Sequence, residues 1–205
     1  RAAPAATHQL NPFAPLLQAL GRSSLRPLLI ATFLASFAMA ALRSHFAFFA
    51  IAVLAFSQSD ANRVIAFLGV MMVVAQGGLV RQAVQRWGDH GTLVVGLVLS
   101  AIGFAGLSVV FSPSMLYLMV AVTAVGVGLG TPTMAALVSH RSGAIEQGVM
   151  LGAAQAAASL AQVLGPVWAG FIFDRAGPQF PFSTGAALVA AALLVVTLNR
   201  PKNDL

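Results

Sequence analysis

Two ionisable side chains stand where a charge is expensive. Arg43 follows fifteen uncharged residues, 28–42, and His45 lies two positions on. At 1.5 Å per residue that run gives about 22 Å of helix, past the middle of a hydrocarbon layer roughly 30 Å thick. An ionised group at such depth costs about 2.5–3.5 kcal/mol on insertion scales and is by default a functional hypothesis. The guanidinium can bind an anionic substrate group or pair with a carboxylate from a companion segment; the competing reading is that it snorkels outward to the headgroups. His45 titrates near neutral pH, which suits proton coupling, or it packs helices through a hydrogen bond. Gln155 and Gln162 lie seven apart, on one face of a helix. Buried amides need partners, so they contact a ligand or tie neighbouring helices together. Met39, Phe46, Phe49 and Phe67 suit a greasy, adaptable binding wall, and equally a core or a lipid-facing surface.

Other chemistries are absent from the pattern. No carboxylate falls inside an apolar stretch, and no Ser is flanked by a recognisable base. The four histidines, His8, His45, His90 and His140, fall in separate segments, so no local metal-ligand spacing occurs. There is no cysteine, which excludes disulfides, thiolate metal sites and Cys nucleophiles. The glycines of 126–130 superficially match a nucleotide loop, but they lie inside an apolar run with no strand before them. The expectation is a non-enzymatic chain without metal or cofactor.

The elements that must hold Arg43 and Gln155 are six apolar stretches, 28–56, 64–80, 92–111, 115–138, 147–173 and 179–198, cut by short polar breaks. Only 8% of residues are charged and mean hydropathy is +0.88, far from the roughly 25% charged of a soluble domain. A backbone in lipid must satisfy its own hydrogen bonds, so these stretches read as transmembrane helices. The net charge of +6 does not point to nucleic acid, because the basic residues are scattered and form no patch. They do orient the bundle. Arg1, Arg22, Arg26, Arg81, Arg86, Arg141, Arg200 and Lys202 fall on one side, against Arg63 and Arg175 on the other. Both termini are therefore expected in the cytoplasm, with inner loops 81–91 and 139–146 and outer loops 57–62, 112–114 and 174–178. Residues 1–26 read as a cytoplasmic linker broken by Pro and Gly, in which 12–20 could form a short amphipathic interfacial helix. Residues 27–199 form the membrane unit and 200–205 a cytoplasmic tail. The absence of an initiating Met suggests a fragment or one piece of a split protein.

Small residues mark the helix contacts. The fourth stretch carries Gly126, Gly128, Gly130 and Pro132; the fifth carries Gly148, Gly152, many alanines and Gly165-Pro166. Small residues let membrane helices approach closely, and a Pro removes an internal hydrogen bond and bends the helix.

Three segments carry a family likeness: Gln76-Gly77-Gly78 through Arg81 and Arg86-Trp87-Gly88-Asp89; Gly126 to Pro132 running on to Glu146-Gln147-Gly148; and Gly165-Pro166 through Phe173-Asp174, with Gly177-Pro178 and Pro181-Phe182 after it. With these the chain resembles the C-terminal six-helix half of a major facilitator superfamily transporter, nearest to drug:proton antiporters such as the tetracycline efflux proteins. The first segment looks like the degenerate second copy of that family's cytoplasmic gating motif, with Arg81, Arg86 and Asp89 as its charges. It departs from the full motif in having no acid before Asp89.

The resemblance implies an all-α membrane protein, one half of the two-half fold. It implies proton-coupled efflux of small hydrophobic or drug-like molecules by alternating access. The partners would be the lipid bilayer, the absent N-terminal six-helix half, a small-molecule substrate and protons, with no nucleic acid. The Arg-rich, Lys-poor composition suggests a bacterium, and so the inner membrane. Uptake of a small metabolite, and a non-transporting membrane scaffold or receptor on the same fold, remain open alternatives.

Overall fold

The computed structural model describes residues 14–143 and 145–199. The first part of the expected linker, 1–13, and the tail 200–205 lie outside the described residues. Seven α-helices follow in order: α1 (Ala14–Leu20), α2 (Arg26–Leu54), α3 (Gln58–Val74), α4 (Val80–Leu107), α5 (Pro113–His140), α6 (Gln147–Ala176) and α7 (Phe180–Leu198). A π-helical turn, Ala75–Leu79, joins α3 to α4 without a break.

Local chemistry explains the helix starts. Pro27, Pro113 and Pro181 sit in the first turns of α2, α5 and α7, where the missing N–H costs nothing. Ser112 Oγ accepts from the Met115 N–H at 3.3 Å. Ser57 and Asp60 form a capping box: Ser57 Oγ accepts from the Asp60 N–H at 3.2 Å, and Asp60 Oδ2 from the Ser57 N–H at 3.0 Å. That box corrects the expected outer loop 57–62, which is helical from Gln58 onward.

The expected inner loop 81–91 is also corrected. Helix continues through Arg81–Trp87 and is interrupted at one residue, Gly88, with φ 68° and ψ 177°. Nothing between Val80 and Trp87 is a helix breaker, and only glycine takes that backbone conformation without penalty. Thr92 Oγ1 donates to the Gly88 carbonyl at 2.7 Å just beyond the break. The chain reverses here. Phe67 of α3 meets Tyr117 of α5, and Gly128 of α5 faces Met72 and Ala75, so α3 and α5 run parallel. Beyond Gly88 the pairs are Gly96 with Gly126, Gly103 with Thr123, and Gly106 with Met119, an antiparallel register. The helical segments 58–87 and 89–107 are therefore separate spans, and the bundle has six.

Along α2 and α6 the pairs Ala40–Gly165 and His45–Gly170 advance together, so these helices are parallel too. One end of the bundle gathers the starts of α2 and α6, the Gly88 break and the ends of α5 and α7; this is called the linker end. The most buried large side chains, Phe46, Phe49, Phe104 and Phe182, pack toward the opposite end. Phe49 lies 4.4 Å from Phe182, centroid to centroid.

Candidate functional site

Helical periodicity assembles the site. On α2, Thr32, Ser36, Met39 and Arg43 recur every three or four residues; α6 contributes Leu151, Gln155, Ala158 and Gln162 at the same spacing, and α5 contributes Val127, Thr131, Met134 and Val138. Each set is one stripe of a 3.6-residue helix. The three stripes, with Leu93, Leu97 and Ser100 of α4, enclose an open cavity of about 620 Å³. It occupies the half of the bundle nearer the linker end, with Arg43 the lining residue of α2 farthest from that end.

Close helix contacts frame the cavity. A Cβ at Gly165 would lie 2.9 Å from both Ala40 Cβ and the Phe37 carbonyl oxygen, so α6 and α2 touch backbone to backbone beside Arg43. A Cβ at Gly126 would lie 2.5 Å from the Ser100 amide nitrogen. Gly130 is part of the same approach, since a Cβ at Gly96 would meet its nitrogen at 2.8 Å. Pro132 and Pro166 both sit inside helices, in α5 and α6.

The polar groups on the cavity fall into two kinds. The hydroxyls of Thr32 and Ser100 donate to carbonyls in their own helices, at 2.8 Å to Leu28 and 2.8 Å to Gly96. Ser36, Arg43, Thr131, Gln155 and Gln162 make no hydrogen bond or ion pair among the described residues. Arg43, Thr131, Gln155 and Gln162 are also exposed. Thr32, Ser36, Thr131 and Met134 were absent from the candidates read by residue type. Stepping back from Arg43 by helical periods finds Thr32 and Ser36 on α2; Thr131 and Met134, on another helix, leave no such trail.

The remaining candidates lie elsewhere. Phe46 and Phe49 are fully buried in the core and do not line the cavity. His45 is on another face of α2, with its Nδ1 2.9 Å from Ser44 Oγ and its ring 5.9 Å from Phe173. Of the gating charges, Arg81 is exposed and the Arg86 guanidinium lies 5.9 Å from the Trp87 ring centre. Asp89 Oδ2 is 3.2 Å from Nδ1 of His140, in a second recess at the linker end.

A strap crosses that end beside the cavity. Arg22, between α1 and α2, meets Glu146 at the start of α6 through two parallel bonds of 2.7 and 2.9 Å. Arg141 donates to the Ser24 carbonyl at 3.3 Å. The guanidinium hydrogen bonds hold the Glu146 carboxyl below its ordinary range, and the carboxylate raises Arg22.

Residues 83–204 match the Major Facilitator Superfamily. The chain belongs to the Major Facilitator Superfamily. The Hippocampus abundant transcript 1 proteins of mouse and human are each 30% identical over 172 residues, which is 83% of this chain and 35% of theirs. The chain thus spans about a third of the length of these curated relatives. The human organic anion transporter MFSD10 (TETRAN) superposes with a TM-score of 0.81 at 22% identity, over 91% of this chain and 46% of that one. A peptide transporter POT in complex with alafosfalin gives a TM-score of 0.80 at 16% identity, over 95% and 43%. At these identities the likeness is one of fold: an all-α membrane protein built as one six-helix half of the superfamily architecture.

Proposed function

We propose that the chain is the C-terminal half of a secondary transporter that exports small hydrophobic or drug-like molecules against proton influx. The carrying observation is the cavity: an intramembrane arginine and two glutamines, with no partner among the described residues, on one open apolar cleft. A scaffold has no need to spend insertion energy on such groups, whereas transporters of this kind bind substrate near the midplane between two halves. The exposed side of Arg43, Gln155 and Gln162 is where a second six-helix half would close the site. In this reading Arg43 and Gln155 contact substrate, Met39 lines its apolar wall, and Asp89 with Arg81 and Arg86 biases the linker-end gate. His45, off the cavity, would serve proton handling only through the α2–α6 contact.

The basic bias of the linker end supports a cytoplasmic placement of both termini, and the Arg-rich, Lys-poor composition favours a bacterial inner membrane. A cysteine at Gly143 should then react with an impermeant maleimide only after permeabilisation, and one at Ser57 before it; the reverse order would refute the orientation. The transport reading is tested in the full-length parent protein, as substrate efflux normalised to membrane expression. Arg43→Gln should cut efflux at least tenfold while expression falls less than twofold. Undiminished efflux removes Arg43 from the site.

A further inference from the structure

The charge inventory of the cavity narrows the substrate class. Among the described residues, Arg43 is the one charged residue that lines it. Of the described carboxylates, Asp60, Glu146 and Asp174 lie at or near helix ends and Asp89 beside the Gly88 break in α4. Three are already engaged, Asp60 with Arg63, Asp89 with His140 and Glu146 with Arg22. The cleft therefore carries a positive charge with no carboxylate beside it among the described residues, which favours an anion over a cation, the more so once a companion half covers the open side and excludes water.

The wall speaks for the rest of the ligand. Met39, Met72, Met134, Leu93 and Leu97 line the cleft, and unbranched thioethers repack around apolar bodies of different shape. A volume near 620 Å³ is that of a site for a drug-sized molecule. A small, fully hydrated anion would leave most of this wall against water. The uncommitted amides of Gln155 and Gln162 can add donors to a carboxylate or sulfonate.

Building on the transport reading above, we infer that the cavity takes amphipathic organic anions, the anionic head on Arg43 and the apolar body against Met39, Met134 and Leu97. A guanidinium gives a planar fork that matches a carboxylate or sulfonate in two bonds, which an ammonium cannot reproduce.

The test uses the full-length parent protein in proteoliposomes and three probes that share one dansyl ring: dansylglycine, an anion; its primary amide, neutral; and dansylcadaverine, a cation. Saturable uptake of dansylglycine is expected, with an apparent affinity about ten- to a hundredfold above that of the amide, the range of a charge-assisted hydrogen bond. Arg43→Gln should bring that ratio close to one, and Arg43→Lys should keep part of it. Saturable uptake in which the amide or the cation equals or exceeds dansylglycine overturns the anion assignment while transport stands; it is the result expected if a carboxylate of the companion half neutralises Arg43. No saturable uptake of any probe overturns both. If Arg43→Gln fails to reach the membrane, the wild-type order of the three probes decides alone.

Discussion

Helix α5 has two sides built from the same small residues to opposite ends. Toward α4, glycine removes space: a Cβ at Gly103 would fall 2.1 Å from Thr123 Oγ1, and one at Gly126 would fall 2.6 Å from the Gly96 carbonyl oxygen. Toward α6, glycine leaves space: a Cβ at Gly152, across the cavity, meets nothing within 4 Å. The first side is a seam of backbone against backbone, the second a cleft. Lipid supplies no hydrophobic force between helices, so a contact must come from close packing. A cleft needs packing to be withheld. A glycine count alone cannot separate these roles; the register between helices does.

The seam should be the more fragile side. Gly126→Ala forces a methyl onto backbone atoms that cannot rotate away, so α4 and α5 must part along their shared length. Overpacking of this kind costs about 3 kcal/mol at the upper end of its range. The expected result is a large fall in the midpoint of thermal aggregation in detergent, with little folded protein recovered at growth temperature. A wild-type midpoint would mean that α4 and α5 are not in contact at Gly126, and the contrast between the two sides would fail.

The six spans were legible because membrane thickness and backbone hydrogen bonding leave few choices for apolar runs of this length. Their edges were less so. The Ser57–Asp60 capping box was visible as Ser-Gln-Ser-Asp, yet the polarity of that segment favoured a loop. Arg81–Trp87 likewise reads as loop by charge, while no residue in it breaks a helix; Gly88 alone carries the reversal. For the site, depth singled out Arg43, and spacing then leads to Met39 on its own helix. Spacing within a helix does not give the rotation of one helix against another. Phe46 and Phe49 lie three and six residues beyond Arg43 in a helix whose large apolar residues are spread around most of its circumference, and only packing decided that they belong to the core. Which stripes of α5 and α6 face Arg43 is likewise settled by the register of Ala40 on Gly165 and Gly96 on Gly126.

At the linker end the cleft side has no backbone seam and is tied instead by the Arg22–Glu146 ion pair. Ion pairs between half-exposed groups are weak and breakable, so this tie should be the switchable part of the contrast. Because the folded carboxyl of Glu146 lies below its ordinary value of 4.5, the tie contributes in full above that pH and is lost as pH falls through the depressed value. Divided by the intrinsic rate at each pH, which itself falls steeply under acid, hydrogen exchange across residues 16–25 should accordingly be slow at neutral pH and rise a few-fold as pH falls below the depressed Glu146 value. In Glu146→Gln it should be raised already at neutral pH and show little further change. Equal exchange in the two proteins at pH 7 would mean that the strap is held by packing of α1, whose Ala19 is fully buried, and not by charge.

The smallest effect sharpens the contrast most. Gly152 lines the cavity in the second turn of α6, and a Cβ there meets nothing within 4 Å, so Gly152→Ala adds a methyl into open space. A glycine inside a helix costs about 0.5–1 kcal/mol relative to alanine, so the variant should be slightly more stable than wild type, with a thermal midpoint raised by a few degrees or less. The same substitution would thus have opposite signs at Gly126 and Gly152, two glycines on the walls of one cavity. If Gly152→Ala instead destabilises the full-length protein, something absent from this half approaches α6 at that point. A companion half is the candidate, and the cleft would then be narrower in the full-length protein than in the half alone. Repeating the measurement on the isolated half, should it fold on its own, assigns the contact: a gain there and a loss in the full-length chain would place the second half against Gly152.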